Sequence, residues 1–240
     1  MVDLLLKLVG SFIYHEPCKA FIIAFMRYST IFFDLDDTLY DSRNGLWDAI
    51  RHRMSEYMQE RLGMPWDEID ELRKKYYQTY GTTLRGLQRH HQVDSDDFLA
   101  YVHDLPLDQY LEPTPELGDL LRSMSQQKWI FTNADASHAY RVLSHLGLAD
   151  CFDGVIDLRA MQFACKPERA AYERALAITG NPRPEACVML DDAAVNLAAA
   201  QGIGFTTVWV TRNGHSNFAA TYTISNILQL PDVMPELWQA

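Results

Sequence analysis

The chain has 240 residues, of which 48% are hydrophobic, and carries a net charge of −11. That length allows one large domain, or a domain with a second inserted in it, each with a sizeable core. The acidic balance excludes a nucleic-acid polymer as partner, since polyanions need a basic footprint; it leaves room for a small phosphate ligand neutralised locally by a metal and a few cationic side chains.

Residues 1–25 are rich in Leu, Ile and Phe but are broken by Asp3, Lys7, His15, Glu16 and Lys19. The longest uncharged run is too short to cross a bilayer. A signal peptide would show basic residues before one clean apolar block and then a small-residue cleavage site, and neither stands out clearly. The segment reads as an N-terminal extension of unknown role. It is either an amphipathic arm or the product of an upstream start, with Met26 just ahead of the first strand. Cys18, Cys151, Cys165 and Cys187 lack metal-type spacing and read as reduced thiols of a cytoplasmic protein.

The first strong element is the apolar run Ile31-Phe32-Phe33, a buried strand leading into Asp34-Leu35-Asp36-Asp37-Thr38-Leu39-Tyr40-Asp41. Side chains alternate along a strand, so Asp34 and Asp36 share one side of its exit. Crowded carboxylates repel and are costly without a cation, so the cluster reads as a magnesium site with a carboxylate nucleophile. An Asp-rich turn capping the next helix is the plainer alternative.

From Asn44 to Pro113 the chain reads as mostly helical. Leu46, Ile50, Met54, Tyr57, Met58 and Leu62 form an apolar stripe ended by Gly63. Further helices are expected at 67–80, ended by Gly81, at 82–91 and at 96–103. Within this stretch, Tyr80 precedes Gly81 and Arg85 precedes Gly86. Close helix packing is the plainer use of the two glycines. His90 and His91 read as solvated.

From Trp129 onward, strand and helix patterns alternate. Strands are expected at 128–132, 154–157, 187–190 and 205–210, and helices at 137–146, 168–179 and 193–201. A short closing helix is expected at 225–230. Such alternation predicts an α/β fold, a parallel sheet with helices on both faces. Ligands then bind at the carboxyl ends of the strands. Polar groups cluster there: Thr132-Asn133 after Trp129-Ile130-Phe131, Lys166-Pro167 ahead of a helix, and Asp191-Asp192 after Cys187-Val188-Met189-Leu190.

Asp34-x-Asp36-x-Thr38, Thr132, Lys166 and Asp191-Asp192, each at a strand end and in this order, resemble the four motifs of the haloacid dehalogenase (HAD) superfamily. The resemblance covers roughly residues 28–215. It implies a Rossmann-like core from residues 26–43 and 114–240, with an inserted all-helical, C1-type cap at 44–113. Tyr80 to Leu87, with Asp36 to Tyr40 and Thr132 to Ala134, is similar to the pyrimidine 5′-nucleotidase subgroup. That similarity implies UMP or CMP as substrate.

The resemblance also implies a division of labour. Asp34 attacks phosphorus and becomes an aspartyl-phosphate, while Asp36 acts as acid and then base. Mg²⁺ sits on an Asp34 oxygen, the Asp36 carbonyl and Asp192, with Asp191 in an outer or exchangeable place. Thr132 and Lys166 hold the phosphoryl oxygens, joined by Asn133, with Tyr80 and Arg85 on the substrate. Asn196 orients Lys166 or Asp192, or is a plain surface amide. Asp37 supports the turn. Asp36 counts against a dehalogenase, which does not normally carry Asp at that position. A phosphomutase, a phosphatase for another small ester, and a scaffold protein on a decayed fold are the alternatives. Oligomeric state is not legible.

Overall fold

The computed structural model describes residues 27–212 and 218–239; the expectations for residues 1–25, Met26 and Cys18 lie outside them. Strands β1 (Thr30–Phe33), β2 (Gln127–Phe131), β3 (Gly154–Ile156), β4 (Cys187–Asp191), β5 (Thr206–Val210) and β6 (Tyr222–Ile224) form one sheet in the order β3-β2-β1-β4-β5-β6. Every pairing in it is parallel. The expected α/β architecture is the observed one.

Strand alternation splits the sheet's residues into two cores. Ile31, Phe33, Ile130, Val188, Leu190, Val208 and Val210 join one apolar cluster, and Phe32, Phe131, Cys187, Met189 and Trp209 the other. Both faces are therefore buried, as a parallel sheet requires, and this explains why its strands are apolar without interruption. Helix α6 (Ala136–Leu146) packs into the first cluster, and α7 (Arg169–Ile178) and α8 (Ala194–Gly202) into the second.

Between β1 and β2 lie α1 (Leu46–Leu62), α2 (Trp66–Tyr80), α3 (Thr83–His91) and α4 (Ser95–His103). Gly63 and Gly81 end α1 and α2 in the left-handed region, at φ 66° and 84°, where a side chain would strain the backbone. Asp94 caps α4 by accepting from two backbone amides. The helices' inner faces, including Tyr57, Met58, Ile69, Leu87 and Phe98, join the second core. At Gly86 a Cβ would lie 2.2 Å from the Tyr76 ring, so α2 and α3 touch through this glycine. Among the described residues, no helix is long and apolar enough to cross a membrane.

Three elements differ from expectation. Helix α5 (Pro115–Ser123) was not expected; Pro115 opens it, where a missing N–H costs nothing. Strand β6 was not expected either: it is three residues long and pairs only with β5 at the sheet edge. The closing helix expected at 225–230 is instead a 3-10 turn, Ile227–Gln229, followed by α9 (Leu230–Val233). The Asn226 side chain caps that turn, and Pro231 starts the helix that the sequence reading had ending there.

Candidate active site

Asp34 follows β1 directly, its amide donating to the Leu190 carbonyl of β4 at 2.9 Å. The chain then turns: Leu35 is buried, and Asp37 takes φ 62°, a left-handed conformation tolerated by Asp. Asp37 accepts an ion pair from Arg212 at 3.0 Å, which ties the turn to the segment after β5. The turn leaves Asp34 and Asp36 facing one cavity of about 480 Å³. Thr132, Asn133, Lys166, Asp192 and Asn196 face the same cavity from the ends of β2 and β4, the loop before α7 and the first turn of α8.

Lys166 is the centre of the charge pattern. Only 1% exposed, it donates from Nζ to Asp34 Oδ1 and to Asp191 Oδ2, each at 2.7 Å. Burial alone would drive its pKa down, but the two carboxylates outweigh that and hold it above the ordinary lysine range. Asn133 fixes the loop that carries it: its side chain accepts from the Lys166 amide at 2.8 Å and donates to the Lys166 carbonyl at 3.0 Å. The Asn133 side chain thus holds the Lys166 loop from the cavity wall, and these two bonds use neither its second Nδ2 proton nor its backbone amide. Thr132 Oγ1 accepts from the Ala134 amide at 3.0 Å, and its own proton stays available to the cavity it lines.

Asp34 Oδ2 accepts from Thr38 at 3.3 Å. Burial, with the Asp191 charge adding and Lys166 opposing, pushes Asp34 up to about 7. Burial and the charges of Asp34 and Asp191 push Asp192 up to about 8. Oxygens of Asp34, Asp191 and Asp192 lie within 4.8 Å of one another. Such a set is repulsive on its own and matches the hard oxygen donors that Mg²⁺ prefers.

Within this set the two neighbouring aspartates are not alike. Asp191 is fully buried; its Oδ1 takes the Ala193 amide at 2.8 Å and Asn196 Nδ2 at 3.0 Å, while its Oδ2 takes Lys166. Asp192 lines the cavity. Asn196 thus orients Asp191, neither Lys166 nor Asp192 as expected, and it is buried, not a surface amide.

Asp36 sits in a different setting. Its Oδ1 accepts from Tyr40 at 2.5 Å and from His138 Nε2 at 3.1 Å. Burial pulls its pKa upward, but His138 and Tyr40 outweigh that and hold it below the usual carboxylate range. Sequence reasoning missed both partners. A signal existed for His138: it lies on the face of α6 that carries Ala139, Val142 and Leu146, and a polar group among core positions needs a partner.

From the helical segment, Trp47 and Met54 of α1, Tyr77 of α2 and Phe98 of α4 complete the cavity wall, with Arg85. Arg85 ion-pairs with Glu168 and donates to the Tyr80 carbonyl at 3.1 Å. Tyr80 does not line the cavity; its hydroxyl bonds His90 at 2.7 Å. His90 and His91 are both exposed, as expected; Tyr76 stacks on His90 and shares a hydrogen bond with His91 at 2.9 Å. Tyr80 faces away because it closes α2 on the side that packs against α3.

A family model, haloacid dehalogenase-like hydrolase, matches residues 28–204. The chain is 30% identical over 231 residues to phosphate metabolism protein 8 of Saccharomyces cerevisiae, covering 85% of this chain and 71% of that protein. It is 29% identical over 200 residues to an (S)-2-haloacid dehalogenase of a Pseudomonas species, covering 77% and 83%. The fold matches a solved HAD phosphatase from Thermococcus onnurineus with a TM-score of 0.59 and 22% identity, over 86% of this chain and 97% of that one. With the family model spanning most of its length, and with the ordered carboxylates, Thr132 and Lys166 meeting at the strand ends, the chain belongs to the haloacid dehalogenase-like hydrolases.

Proposed function

We propose that the protein is a Mg²⁺-dependent phosphohydrolase for a small phosphomonoester, with a pyrimidine nucleoside 5′-monophosphate, UMP or CMP, as the leading substrate. The observation that carries the reaction class is the pairing of Asp34 and Asp36 in one cavity, in opposite electrostatic settings. A dehalogenase needs only the nucleophile. A phosphatase needs a second carboxyl to handle the proton of the leaving oxygen, and Asp36 is so placed.

Asp34 attacks phosphorus in line, and the bond to the ester oxygen breaks as the Asp34 oxygen–phosphorus bond forms. Asp36 gives its proton to the departing oxygen. A phosphoryl dianion beside Asp36 opposes its ionisation and favours the proton being there at that moment. Asp36 then takes a proton from water as that water attacks the aspartyl-phosphate, and inorganic phosphate leaves with Asp34 restored. Thr132 donates to a phosphoryl oxygen, and Lys166 holds Asp34 in line while offsetting charge among the acids. Asp34, Asp192 and the Asp36 carbonyl would hold the Mg²⁺, with Asp191 behind them; when bound, the ion supplies charge neutralisation at the phosphoryl group.

Helices α1 to α4, within residues 44–113, act as a cap on a core made of residues 26–43 and 114–240. The cap excludes water and meets the leaving group through Trp47 and Tyr77, whose flat rings suit a pyrimidine, while the buried Phe98 packs in the wall. Arg85 lies beside them as a donor for base or ribose. The site of action is the cytoplasm, in keeping with Cys151, Cys165 and Cys187, which are all buried free thiols.

The test is phosphate release from a panel of UMP, CMP, AMP, sugar phosphates and phosphoglycolate, each with Mg²⁺ and with EDTA, and with Asp34→Asn as blank. Mg²⁺-dependent release led by UMP or CMP is expected. Release led by another ester would keep the reaction and discard the nucleotide. No Asp34-dependent release would overturn the phosphatase reading and favour a phosphomutase or a binding role.

A further inference from the structure

The setting of Asp36 extends well beyond its own turn. His138, 1% exposed, stacks on His103 of α4 with ring centroids 4.1 Å apart. His103, itself buried, pairs through Nδ1 with Asp135 at 2.8 Å. Asp135 in turn caps α6, accepting from the His138 amide. Arg141, one turn further along α6, donates to the carbonyls of His103 and Leu105 at 2.6 and 2.7 Å, and so clamps the end of α4 against α6. A buried column thus runs Asp36–His138–His103–Asp135. It joins the turn after β1 to two helices that lie far apart in the chain. A hydrogen bond to Asp36, the ring stack on His103 and the charge contact of His103 with Asp135 hold the His138 ring in this column.

The hydrogen bonds to Asp36 are asymmetric. Tyr40 and His138 both donate to Oδ1. Among the described residues no hydrogen bond reaches Oδ2, and Asp36 lines the cavity. His138 Nδ1 is buried with no partner, so Nε2 is the nitrogen that carries the proton and donates. Two donors on one oxygen fix both the rotation and the tilt of the carboxyl plane. The other oxygen is then the one presented to the substrate.

We propose that His138, with Tyr40, is the positioning residue of the acid–base carboxylate: it anchors Asp36 Oδ1 so that Oδ2 faces the oxygen of the leaving group. The inference rests on the hydrolytic reading above and deepens it. Proton transfer needs the carboxyl within hydrogen-bond reach of the leaving oxygen and aligned with it, so a carboxyl free to rotate loses rate without any change in binding.

Leaving-group chemistry separates positioning from mere structural support. A nucleotide or other alkyl phosphate expels a strongly basic alkoxide that must be protonated, whereas p-nitrophenolate departs without a proton. The constant kcat/KM reports the step that forms the aspartyl-phosphate, before Asp36 acts as base. The experiment therefore measures kcat/KM with Mg²⁺ for p-nitrophenyl phosphate and for UMP. The proteins are wild type, His138→Phe, His138→Gln and Tyr40→Phe, each checked for folding by circular dichroism.

In His138→Phe, which keeps the ring and loses the donor, kcat/KM for UMP is expected to fall by about 10- to 100-fold, part of the ~10²–10⁴ a positioned acid contributes, and for p-nitrophenyl phosphate by less than about threefold. His138→Gln, whose amide can donate from a similar point, recovers most of the loss. Tyr40→Phe shows the same selectivity in milder form, and it carries the test if the His138 variants do not fold. Equal losses on both esters in wild-type-like folds, or no loss on either, would overturn the inference alone. A wild type that turns over neither ester in an Asp34-dependent way overturns the hydrolytic reading and takes the inference with it.

Discussion

At the scale of single residues, the site is a problem in placing like charges together. Asp34, Asp191 and Asp192 crowd within 4.8 Å, and Lys166 is shared between the first two. Lys166→Met would leave two buried carboxylates without their cation. Loss of turnover is expected, with destabilisation of about 3–5 kcal/mol in metal-free urea unfolding, the usual cost of breaking a buried ion pair. The pH dependence follows from Asp34 and Asp192, raised to about 7 and about 8. A carboxyl raised on folding favours the folded state while it is protonated. That contribution is complete below the unfolded value of about 3.9 and is lost as pH rises through the folded value. The metal-free Tm should therefore fall between about pH 4 and 8, less steeply in Asp192→Asn. Mg²⁺ should raise Tm most at the alkaline end, since only deprotonated carboxylates bind it. A Tm unaffected by Mg²⁺ at pH 8 would count against the metal site. At this scale the identities of the acids, Thr132 and Lys166 were legible from the sequence. The hold of Asn133 on the Lys166 loop was not, because an amide reads the same whether it binds a ligand or a neighbouring backbone.

At the scale of elements, local signals and tertiary contacts contributed differently. The glycine stops after α1 and α2, and the stop at Gly147 after α6, were readable because a left-handed residue ends a helix whatever surrounds it. Strand β6 and helix α9 were not, since the first depends on an edge pairing and the second on Pro231 starting a helix whose neighbours decide its direction. Gly86 shows the coupling between elements most sharply. Gly86→Ala puts a methyl into the Tyr76 ring and should destabilise the protein by about 1–3 kcal/mol, by forcing α3 off α2. A thermal or urea melt checks it, and the same substitution should cost less in a Tyr76→Ala background, where there is room for the methyl. A Gly86→Ala protein as stable as wild type would mean that the two helices are not in contact in solution.

At the scale of the whole molecule, the cavity is a joint product of segments distant in sequence. The strand ends supply charge, and α1, α2 and α4 supply Trp47, Tyr77 and Phe98. Truncating Trp47→Ala removes wall without touching the acids. KM for UMP should rise, while kcat/KM for p-nitrophenyl phosphate stays near the wild-type value, as steady-state kinetics on the two esters would reveal. A parallel loss on both would place Trp47 in the fold and not in substrate choice. The net charge of −11 sets a further whole-molecule property: repulsion from polyanions, so that added RNA should leave turnover unchanged. By itself the sequence determined the parallel α/β core, because doubly buried strands must be continuously apolar and the chain alternates them with helices. It also placed carboxylates and a lysine together at the strand ends, because the carboxyl ends of parallel strands open onto one crevice. Only the tertiary structure decided which aspartate is saturated and which is open, that Tyr80 turns away, and that a histidine column holds Asp36. Those outcomes depend on hydrogen-bond partners contributed from far along the chain, and spacing within one segment carries no information about a partner in another.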